Sequence, residues 1–269
     1  MSLKIVLAQY DIVWESPKEN LKKIENLFQN EDKNFDLILL PEMFNTGFSM
    51  NPARIAETMN GEAVNWMKIF ASKKNCVVAG SVSIRENGQF YNRFLAVYPD
   101  GNIKKYDKKH LFRMSGEEKV YSPGNEQTII DIKGWRCALF ICYDLRFPVW
   151  CRNRNNYDLA LFIANWPAPR FDVWKTLLKA RSLENQCYTA GVNRIGTGNG
   201  TEYNGHSLIY DYLGNIIGSL QEHEEGLIKA ELSLDKLNQF KEKFPAWMDA
   251  DEFNIDFRFS TDIPSLRDG

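Results

Sequence analysis

The amino-acid sequence predicts a single α/β domain in which helices cover sheets in a layered sandwich. Short apolar runs of strand length alternate with segments of helical period from one end of the chain to the other. No linker, low-complexity tract or break in composition divides the 269 residues. The content of 44% hydrophobic and 25% charged residues is that of an ordinary globular chain. Single α/β domains of about 200 to 250 residues are common.

The first half of the chain predicts two β/α units followed by a hairpin. Residues 4–9 form a short apolar strand, and Ser16-Pro17-Lys18-Glu19 is a capping-box pattern that opens a helix. The other elements expected here are strands at 35–40 and 76–82, a helix with Val64, Met67, Phe70 and Ala71 on one face, and a hairpin of 89–98 and 103–106 that turns at 99–102.

The second half continues the alternation. Strands are expected near 127–132 and at 136–141, 159–164 and 188–192, with a helical face of Val173, Trp174, Leu177 and Leu178 between the last two. A late β-meander is expected at 205–210, 216–220 and 226–230, and Ser233 caps a last helix that Pro245 ends. We expect residues 1–245 to form the domain and 246–269 to be an extension packed on the body or on a partner subunit.

A continuous apolar run at 136–141 ends in Cys142, and a short polar turn then leads to Pro148. Such a run predicts a strand buried on both faces, and Pro148 suits the first turn of a following helix. The thiol would then lie near the positive end of a helix dipole, where a thiolate is favoured. The competing interpretation, which is more frequent for a cysteine considered alone, is a buried small apolar residue.

Charge and hydropathy patterns argue against nucleic acid, membrane and secretion. The net charge of −2 gives no basic surface for a polyanion. The first ten residues lack a signal peptide's apolar stretch and cleavage site, and no apolar run approaches membrane-spanning length. The five cysteines contain no C-x-x-C pair. We therefore expect a cytoplasmic protein with reduced thiols.

Several other motifs are weaker candidates for a site. Residues 196–200 are rich in glycine, but no helix opens there as a dinucleotide site requires, so we interpret them as a flexible loop. A Ser-His-Asp hydrolase would need a G-x-S-x-G elbow, which the chain lacks. A pairing of Cys142 with His110 or His206 remains open. Three scattered histidines are a poor ligand set, so we expect no metal and no cofactor.

Three polar residues recur at the ends of predicted strands. Glu42, Lys108 and Cys142 supply a base, a cation and a nucleophile, which thiol-based acyl transfer needs. The pKa of a free carboxyl group is about 4, and burial would raise that pKa toward neutrality, which makes the carboxylate a stronger base. Each residue also has an ordinary interpretation, since Glu42 could cap the next segment and Lys108 could form a solvated pair with Lys109.

Three segments carry a resemblance to a known family. They are Pro41-Glu42-Met43-Phe44, Asp107-Lys108-Lys109-His110-Leu111-Phe112 and Cys142-Tyr143-Asp144-Leu145-Arg146-Phe147-Pro148. In this order they resemble the signatures of the nitrilase, or carbon–nitrogen hydrolase, superfamily. Residues 112–114, 164–170 and 244–251 resemble its ω-amidase branch in particular. That branch hydrolyses the terminal amide of 2-oxoglutaramate or 2-oxosuccinamate to the 2-oxo diacid and ammonia.

The resemblance implies a role for each matched residue. Glu42 corresponds to the general base, Lys108 to the catalytic lysine and Cys142 to the nucleophile. A second glutamate precedes the S-P-G turn in this family, and Glu117 matches its offset better than Glu118. The implied fold is a four-layer αββα sandwich that usually forms a homodimer.

The resemblance also implies a small-molecule amide substrate held without a cofactor. We expect the backbone N–H of Tyr143 to bind the oxyanion. A 2-oxo acid amide needs a cation for its distal carboxylate, and Arg113 and Arg170 are candidates by motif context, although both could be surface ion pairs. Phe44 and Trp166 are the remaining candidate substrate contacts. The alternatives are a general aliphatic amidase, an N-carbamoyl amino acid hydrolase, or a catalytically silent binding subunit.

Overall fold

A computed structural model describes residues 1–31 and 34–255. Two six-stranded sheets dominate this part of the chain, and a small hairpin lies beside them. In chain order the strands are β1 (Ser2–Gln9), β2 (Leu37–Leu39), β3 (Val77–Glu86), β4 (Gln89–Val97), β5 (Ile103–Asp107), β6 (Ile129–Ile132), β7 (Trp135–Ile141), β8 (Leu159–Ile163), β9 (Tyr188–Val192), β10 (Ile195–Gly198), β11 (Thr201–Asn204), β12 (Leu208–Tyr210), β13 (Ile216–Ser219) and β14 (Gly226–Ser233). The α-helices are α1 (Pro17–Leu27), α2 (Pro52–Ile55), α3 (Glu62–Lys74), α4 (Phe171–Glu184) and α5 (Leu234–Lys243).

Each sheet has a parallel centre and antiparallel edges. The first sheet has the order β14-β1-β2-β3-β4-β5, in which β1, β2 and β3 run parallel. The second has the order β13-β12-β9-β8-β7-β6, in which β7, β8 and β9 run parallel. Parallel strands are covered on both faces, which explains why their sequences are continuous apolar runs and not alternating ones.

The hydrophobic core has two layers. One lies between the two sheets, and the other lies between the first sheet and helices α1 and α3. On β1, Ile5 and Leu7 face the second sheet, while Val6 and Ala8 pack with residues of α1 and α3. Helix α4 covers the outside of the second sheet and approaches β9 closely, since a Cβ on Gly191 would lie 2.4 Å from a methyl carbon of Leu178. The layers are therefore helix, sheet, sheet, helix, as predicted.

Four local expectations need correction. Pro17 does begin α1, but the hydroxyl of Ser16 makes no cap bond to the helix and donates to Trp14 O instead. The glycine-rich stretch at 196–200 is the turn of the β10–β11 hairpin and not a free loop. No helix begins at Pro148, because a 3₁₀-helix, Cys142–Arg146, starts at the cysteine itself and the amides of Trp150 and Cys151 then close a turn on Phe147 O.

The late β-meander is also wrong beyond its first two strands. β12 and β13 pair as expected, but β14 joins the first sheet, antiparallel to β1 over eight residue pairs. β14 therefore faces β13 across the sandwich, where a Cβ on Gly218 would lie 2.8 Å from the Ile228 side chain. The open edge of β1 takes this strand because it offers a long apolar partner, which local propensity cannot reveal.

The start of the proposed extension lies on the body. A 3₁₀-helix, Ala246–Asp249, follows α5, and the guanidinium of Arg154 lies 4.3 Å from the ring centre of Phe253. Residues 256–269 lie outside the described part, so packing on a partner subunit stays a prediction. Within residues 1–31 and 34–255, no helix combines the length and the hydropathy that a bilayer span requires.

Candidate active site

Three strand ends bring the reactive side chains together. Glu42 follows β2 and Lys108 follows β5 in the first sheet, while Cys142 follows β7 in the facing sheet. β2 and β7 both belong to parallel runs, and α/β proteins place ligands at the carboxyl ends of such strands. Apolar strands therefore place Glu42 and Cys142 at this edge, and the polar hairpin strand β5 adds Lys108.

Lys108 bridges two glutamates in a site closed to solvent. Its Nζ lies 2.8 Å from Glu42 Oε1 and 2.9 Å from Glu117 Oε2. All three side chains have 0% exposure. Asn92 adds a neutral donor, because its amide Nδ2 lies 2.8 Å from Glu42 Oε1 and 3.3 Å from Glu117 Oε1. The cluster thus carries two carboxylates for one ammonium. Hydrogen bonds from neutral donors stabilise the negative charge that the ammonium does not neutralise.

Burial and charge act in opposite directions on this cluster. Burial disfavours the charged form of Lys108, but Glu117 and Glu42 outweigh it and raise the pKa of the ammonium above its usual value. The pKa of Glu117 is also raised, by burial and by the nearby Glu42 charge, against the lowering effect of Lys108. Lys108 therefore stays a cation at neutral pH.

The structure distinguishes the two adjacent glutamates. Glu117 is fully buried, binds Lys108 and accepts a 2.6 Å hydrogen bond from the amide of Phe112. Glu118 lines a separate surface depression beside Arg113. Of the two candidates, Glu117 alone has the geometry of a second catalytic carboxylate.

Cys142 occupies a strained backbone position at the start of the 3₁₀-helix. Its φ of 46° lies in the left-handed region that non-glycine residues rarely adopt, and such strain clusters at functional sites. Burial raises the pKa of its thiol and Glu42 raises it further, while Lys108 lowers it. The resting side chain is a thiol, so it needs a base before it can attack.

Asn165 connects Glu42 to the second sheet. The residue follows β8, and its backbone amide lies 2.8 Å from Glu42 Oε2 while its side-chain amide donates to Glu42 O. The carbonyl of Asn165 also accepts a long contact, 4.0 Å, from Cys142 Sγ. Base and nucleophile are thus held by the same residue.

A cavity of about 110 Å³ opens over Cys142. Five aromatic residues line it, and so do two arginines, Arg146 and Arg170. Arg146 lies 5.4 Å from the ring centre of Trp166, and Arg170 lies 5.4 Å from that of Phe112. The other residues that line it include Phe48, Tyr143, Asn165, Thr201 and Tyr203. The volume suits a small substrate with an anionic group.

Two expected substrate contacts do not reach this cavity. Phe44 is fully buried behind the site, with its ring 5.9 Å from that of Trp66, because it belongs to the core under α3. Arg113 is exposed, and it lines a neighbouring depression with Glu118 and not the cavity over Cys142. Both assignments are therefore corrected, whereas Tyr143, Trp166 and Arg170 do line the cavity.

Sequence reasoning missed several residues of the site. Arg146 and Asn165 lie inside the quoted motifs, so their position was a usable signal. Tyr203 and Thr201 enter from the β10–β11 hairpin, which had been interpreted as a loop. Asn92 lies in a hairpin strand that carried no signal for a site.

The histidines have other partners. The ring Nδ1 of His110 lies 2.8 Å from Asp144 Oδ1, and the ring stacks on Phe147 with centroids 3.7 Å apart. His206 stacks on Phe171, at 4.6 Å. The charged groups that act on the Cys142 thiol are Glu42, Lys108 and Glu117. The geometry favours a carboxylate base over a histidine.

Comparison with known proteins agrees with this geometry. The family model described as carbon–nitrogen hydrolase matches residues 4–242. The chain belongs to the carbon–nitrogen hydrolase family. It is 46% identical over 254 residues to the omega-amidase YafV of Escherichia coli strain K12, covering 94% of this chain and 98% of that protein. It is 38% identical to the 2-oxoglutaramate amidase of Bacillus subtilis, covering 93% of this chain and 98% of that one.

A solved structure of the same superfamily is also close to this hydrolase. The crystal structure of a CN-hydrolase superfamily protein from Xanthomonas campestris, which has an arsenic adduct in its active site, superposes with a TM-score of 0.93. The two sequences are 38% identical, and the match covers 95% of this chain and 100% of the other. This similarity confirms the αββα fold of the family.

Proposed function

We propose that this carbon–nitrogen hydrolase cleaves the terminal amide of a 2-oxo acid amide such as 2-oxoglutaramate, and releases ammonia and the 2-oxo diacid. The observation that carries the proposal is Cys142 at the floor of a small cavity, between the buried Lys108–glutamate cluster and two arginines. The names of the relatives at 46% and 38% identity support the same substrate.

Acylation would use Glu42 as the base. Its carboxylate takes the proton from Cys142 Sγ as the sulfur attacks the amide carbon, and the C=O electrons move onto oxygen. The Lys108 ammonium and the backbone N–H of Tyr143 stabilise that oxyanion, each contributing on the order of 3 kcal/mol. Glu42 then gives its proton to the departing nitrogen, the C–N bond breaks, and ammonia leaves a thioester on Cys142.

Deacylation would reuse the same carboxylate. Glu42 takes a proton from water as the water oxygen attacks the thioester carbon, and Lys108 again stabilises the oxyanion. Collapse of this intermediate breaks the C–S bond and releases the free acid. The proton on Glu42 returns to the thiolate, which restores the resting thiol. Glu117 would keep Lys108 in place through its two contacts of 2.9 and 3.1 Å.

The arginines would hold the distal carboxylate of the substrate. In the described part of the chain neither Arg146 nor Arg170 forms a salt bridge, and their contacts are aromatic rings and a methionine sulfur. A guanidinium without a carboxylate partner can bind one bidentately. This arrangement favours a substrate whose amide and carboxylate lie at opposite ends.

Ammonia release from three substrates tests the assignment. We expect kcat/KM for 2-oxoglutaramate to exceed that for a plain aliphatic monoamide by at least about 100-fold, since loss of a charged contact costs roughly 3 kcal/mol. N-carbamoyl-β-alanine keeps a carboxylate but offers a ureido carbonyl, which resonance with two nitrogens makes less electrophilic, so it should also react more slowly. Arg170→Met should raise KM, and Arg113→Met is the matched control because Arg113 lies outside the cavity. Equal rates on all three substrates would contradict the assignment.

A silent binding subunit remains the alternative from another class. The strained φ and buried cluster at Cys142 favour catalysis over that alternative. Peptide mapping after treatment with iodoacetamide distinguishes the two. We expect Cys142 to be labelled faster than Cys76, Cys137, Cys151 and Cys187, which are all buried. Equal or slower labelling of Cys142 would favour the silent subunit.

We also propose a homodimer in the cytoplasm. The side chains of Val149, Leu183 and Met248 are exposed, and a second copy would cover such apolar groups in a dimer. The free thiols fit a reducing compartment. Sedimentation of the wild type and of Leu183→Glu tests the dimer, and cell fractionation tests the location.

A further inference from the structure

We propose that Asp144 is a positioning residue that holds Lys108 against Cys142, and that it thereby sets the reactivity of the thiol. The proposal rests on the catalytic roles proposed above for Lys108 and Cys142. Asp144 is fully buried and lies two residues beyond the cysteine. It does not line the cavity, so it would act through other residues.

The carboxylate of Asp144 accepts four hydrogen bonds. Its Oδ2 lies 2.7 Å from the hydroxyl of Tyr106 and 2.9 Å from the amide of Ile141. Its Oδ1 lies 3.0 Å from the amide of His110 and 2.8 Å from the Nδ1 of the same residue. Because the amides and the hydroxyl can only donate to it here, the group is used as an acceptor throughout, which is the role of an ionised carboxylate.

These partners bracket both catalytic residues. Tyr106 and His110 lie two positions on either side of Lys108, while Ile141 and Asp144 itself lie on either side of Cys142. Lys108 belongs to the first sheet, where its amide donates to Asn92 O at 3.0 Å. Cys142 belongs to the second sheet. Asp144 is thus a side-chain connection between the two sheets at the point where cation and thiol must meet.

The surroundings require a carboxylate and not an amide. The hydroxyl of Tyr106 already accepts from Trp150 Nε1 at 3.0 Å and from the amide of Lys109 at 3.2 Å, so its own proton is directed to Asp144. Burial and the Asp144 charge raise the pKa of Tyr106, which keeps that proton in place. An asparagine at 144 would turn an NH₂ group toward one pair of these donors and would leave them unsatisfied.

A merely structural role is the competing explanation, and the chain offers a matched control for it. Asp158 is a second buried carboxylate, next to the opposite end of the β7–β8 pair. It accepts from the guanidinium of Arg136 at 2.7 and 2.9 Å and from the amide of the same residue. Removing either carboxylate should lower stability, but only Asp144 lies between Lys108 and Cys142.

Alkylation of Cys142 by iodoacetamide tests the proposal without any substrate. The rate constant is measured by peptide mapping from about pH 6 to about pH 9, since the thiolate is the reacting form. The groups that face the thiol are Glu42, Lys108 and Glu117, and none is changed by the variants. Thermal unfolding and the kcat and KM for 2-oxoglutaramate are measured on the same full-length proteins.

We expect Asp144→Asn to lower the alkylation rate near neutral pH by about 10-fold and to move its pH profile upward, because the thiolate loses its nearby cation. kcat should fall with little change in KM. Asp158→Asn should lower the midpoint of thermal unfolding but leave the alkylation rate and kcat within about twofold of the wild-type values. His110→Ala removes one hydrogen bond to Asp144 at a partly exposed position. By itself it should lower the alkylation rate about threefold. In the Asp144→Asn background it should cause no further loss, because the two residues act through the same contact.

Alkylation by folded Asp144→Asn at the wild-type rate at every pH would overturn the proposal, as would an equal effect of Asp158→Asn. If Asp144→Asn fails to fold, an unchanged alkylation rate in His110→Ala overturns it instead. A wild-type protein that does not hydrolyse 2-oxoglutaramate, yet loses alkylation in Asp144→Asn, would contradict the proposed substrate and leave Asp144 in its role.

Discussion

Two ion clusters lie back to back on β4 and at the end of β5, and each contains a buried cation between two carboxylates. Arg93 lies between Glu86 and Asp107, and Lys108 lies between Glu42 and Glu117. Asn92 precedes Arg93 and Asp107 precedes Lys108, so the alternation of a strand sends one cluster to each face. Lys105 also lies 3.4 Å from Glu86, so the Arg93 cluster has two cations for its two carboxylates, whereas the Lys108 cluster has one.

In the Arg93 cluster every carboxylate oxygen accepts a hydrogen bond from the guanidinium, and the two carboxylates are partly exposed to solvent. The guanidinium lies 2.7 and 2.9 Å from the oxygens of Asp107, and 3.1 and 2.9 Å from those of Glu86. Both pairs are bidentate, which is the strongest geometry for this interaction. The hydrogen bonds of Arg93 lower the pKa of Glu86 to about 2, although 35% of that side chain is exposed. Such a cluster contributes stability and leaves no reactive acceptor.

The Lys108 cluster is closed to solvent, and neutral donors complete the hydrogen bonds that its one cation cannot supply. An ammonium has three protons for the four oxygens of Glu42 and Glu117, and Asn92 and two backbone amides supply the remaining donors. The pKa of Glu117 is raised where that of Glu86 is lowered. The Lys108 cluster therefore differs from the Arg93 cluster in two ways: it is closed to solvent, and it has one cation fewer for the same number of carboxylates.

The largest expected effect is that of Lys108→Ala. Loss of the ammonium removes an oxyanion donor and leaves two buried carboxylates without a cation, so kcat/KM should fall by at least about 10³-fold. Ammonia release with circular dichroism as a folding control measures it. Lys109→Ala is the matched control, since Lys109 lies over the ring of Trp150 and not in the cluster. An active Lys108→Ala beside an inactive Lys109→Ala would reverse the assignment.

Glu117→Gln should have the next largest effect, on the order of 100-fold in kcat. The neutral amide would let Lys108 pair with Glu42 alone and weaken that carboxylate as a base. Steady-state ammonia release measures the change. Glu118→Gln should leave kcat unaltered because Glu118 lies in a different depression. Equal losses in the two variants would show that the buried position of Glu117 has no special role.

Arg93→Met separates stability from catalysis. It leaves Asp107 without its cation and Glu86 with Lys105 alone, so the free energy of unfolding should fall by about 3 kcal/mol. Activity per folded molecule should stay within about twofold, because none of these residues lines the cavity. Urea unfolding and active-site titration measure the two quantities. A selective loss of kcat with unchanged stability would contradict the division between the clusters.

Glu86→Gln should have the smallest effect, below about 1 kcal/mol at neutral pH because the side chain is partly exposed. The pKa of Glu86 is lowered from 4.5 to about 2 in the folded state, so its contribution is present above pH 4.5 and is lost as the pH falls toward 2. Unfolding of wild type and variant should therefore differ at pH 7 and converge in acid. A difference that grew in acid would contradict the assignment.

The same comparison explains what the sequence could and could not predict. Glu42, Lys108 and Cys142 were predictable, because each lies at the end of a predicted strand and in a recognisable motif. The sequence could not show that Arg93 and Lys108 form clusters of opposite character, because both are basic residues near glutamates and only the packed sheets decide which one loses water.

Long-range pairing limited the fold prediction in a similar way. The strands and helices were found from periodicity, but β14 pairs with β1 at the other end of the chain, and no local signal chooses that edge. The helix expected at Pro148 failed because the Asp144 side chain captures the backbone amide of Ile141 and starts a 3₁₀-turn before it. A local side-chain hydrogen bond thus starts a different turn six residues before the proline.

Ammonia release from 2-oxoglutaramate by the wild type and by Cys142→Ala tests the central claim most directly. The account predicts that Cys142→Ala keeps the wild-type circular dichroism spectrum and loses at least about 10⁴-fold in kcat, since no other group can form the thioester. A folded Cys142→Ala protein that released ammonia at a rate comparable with the wild type would contradict it.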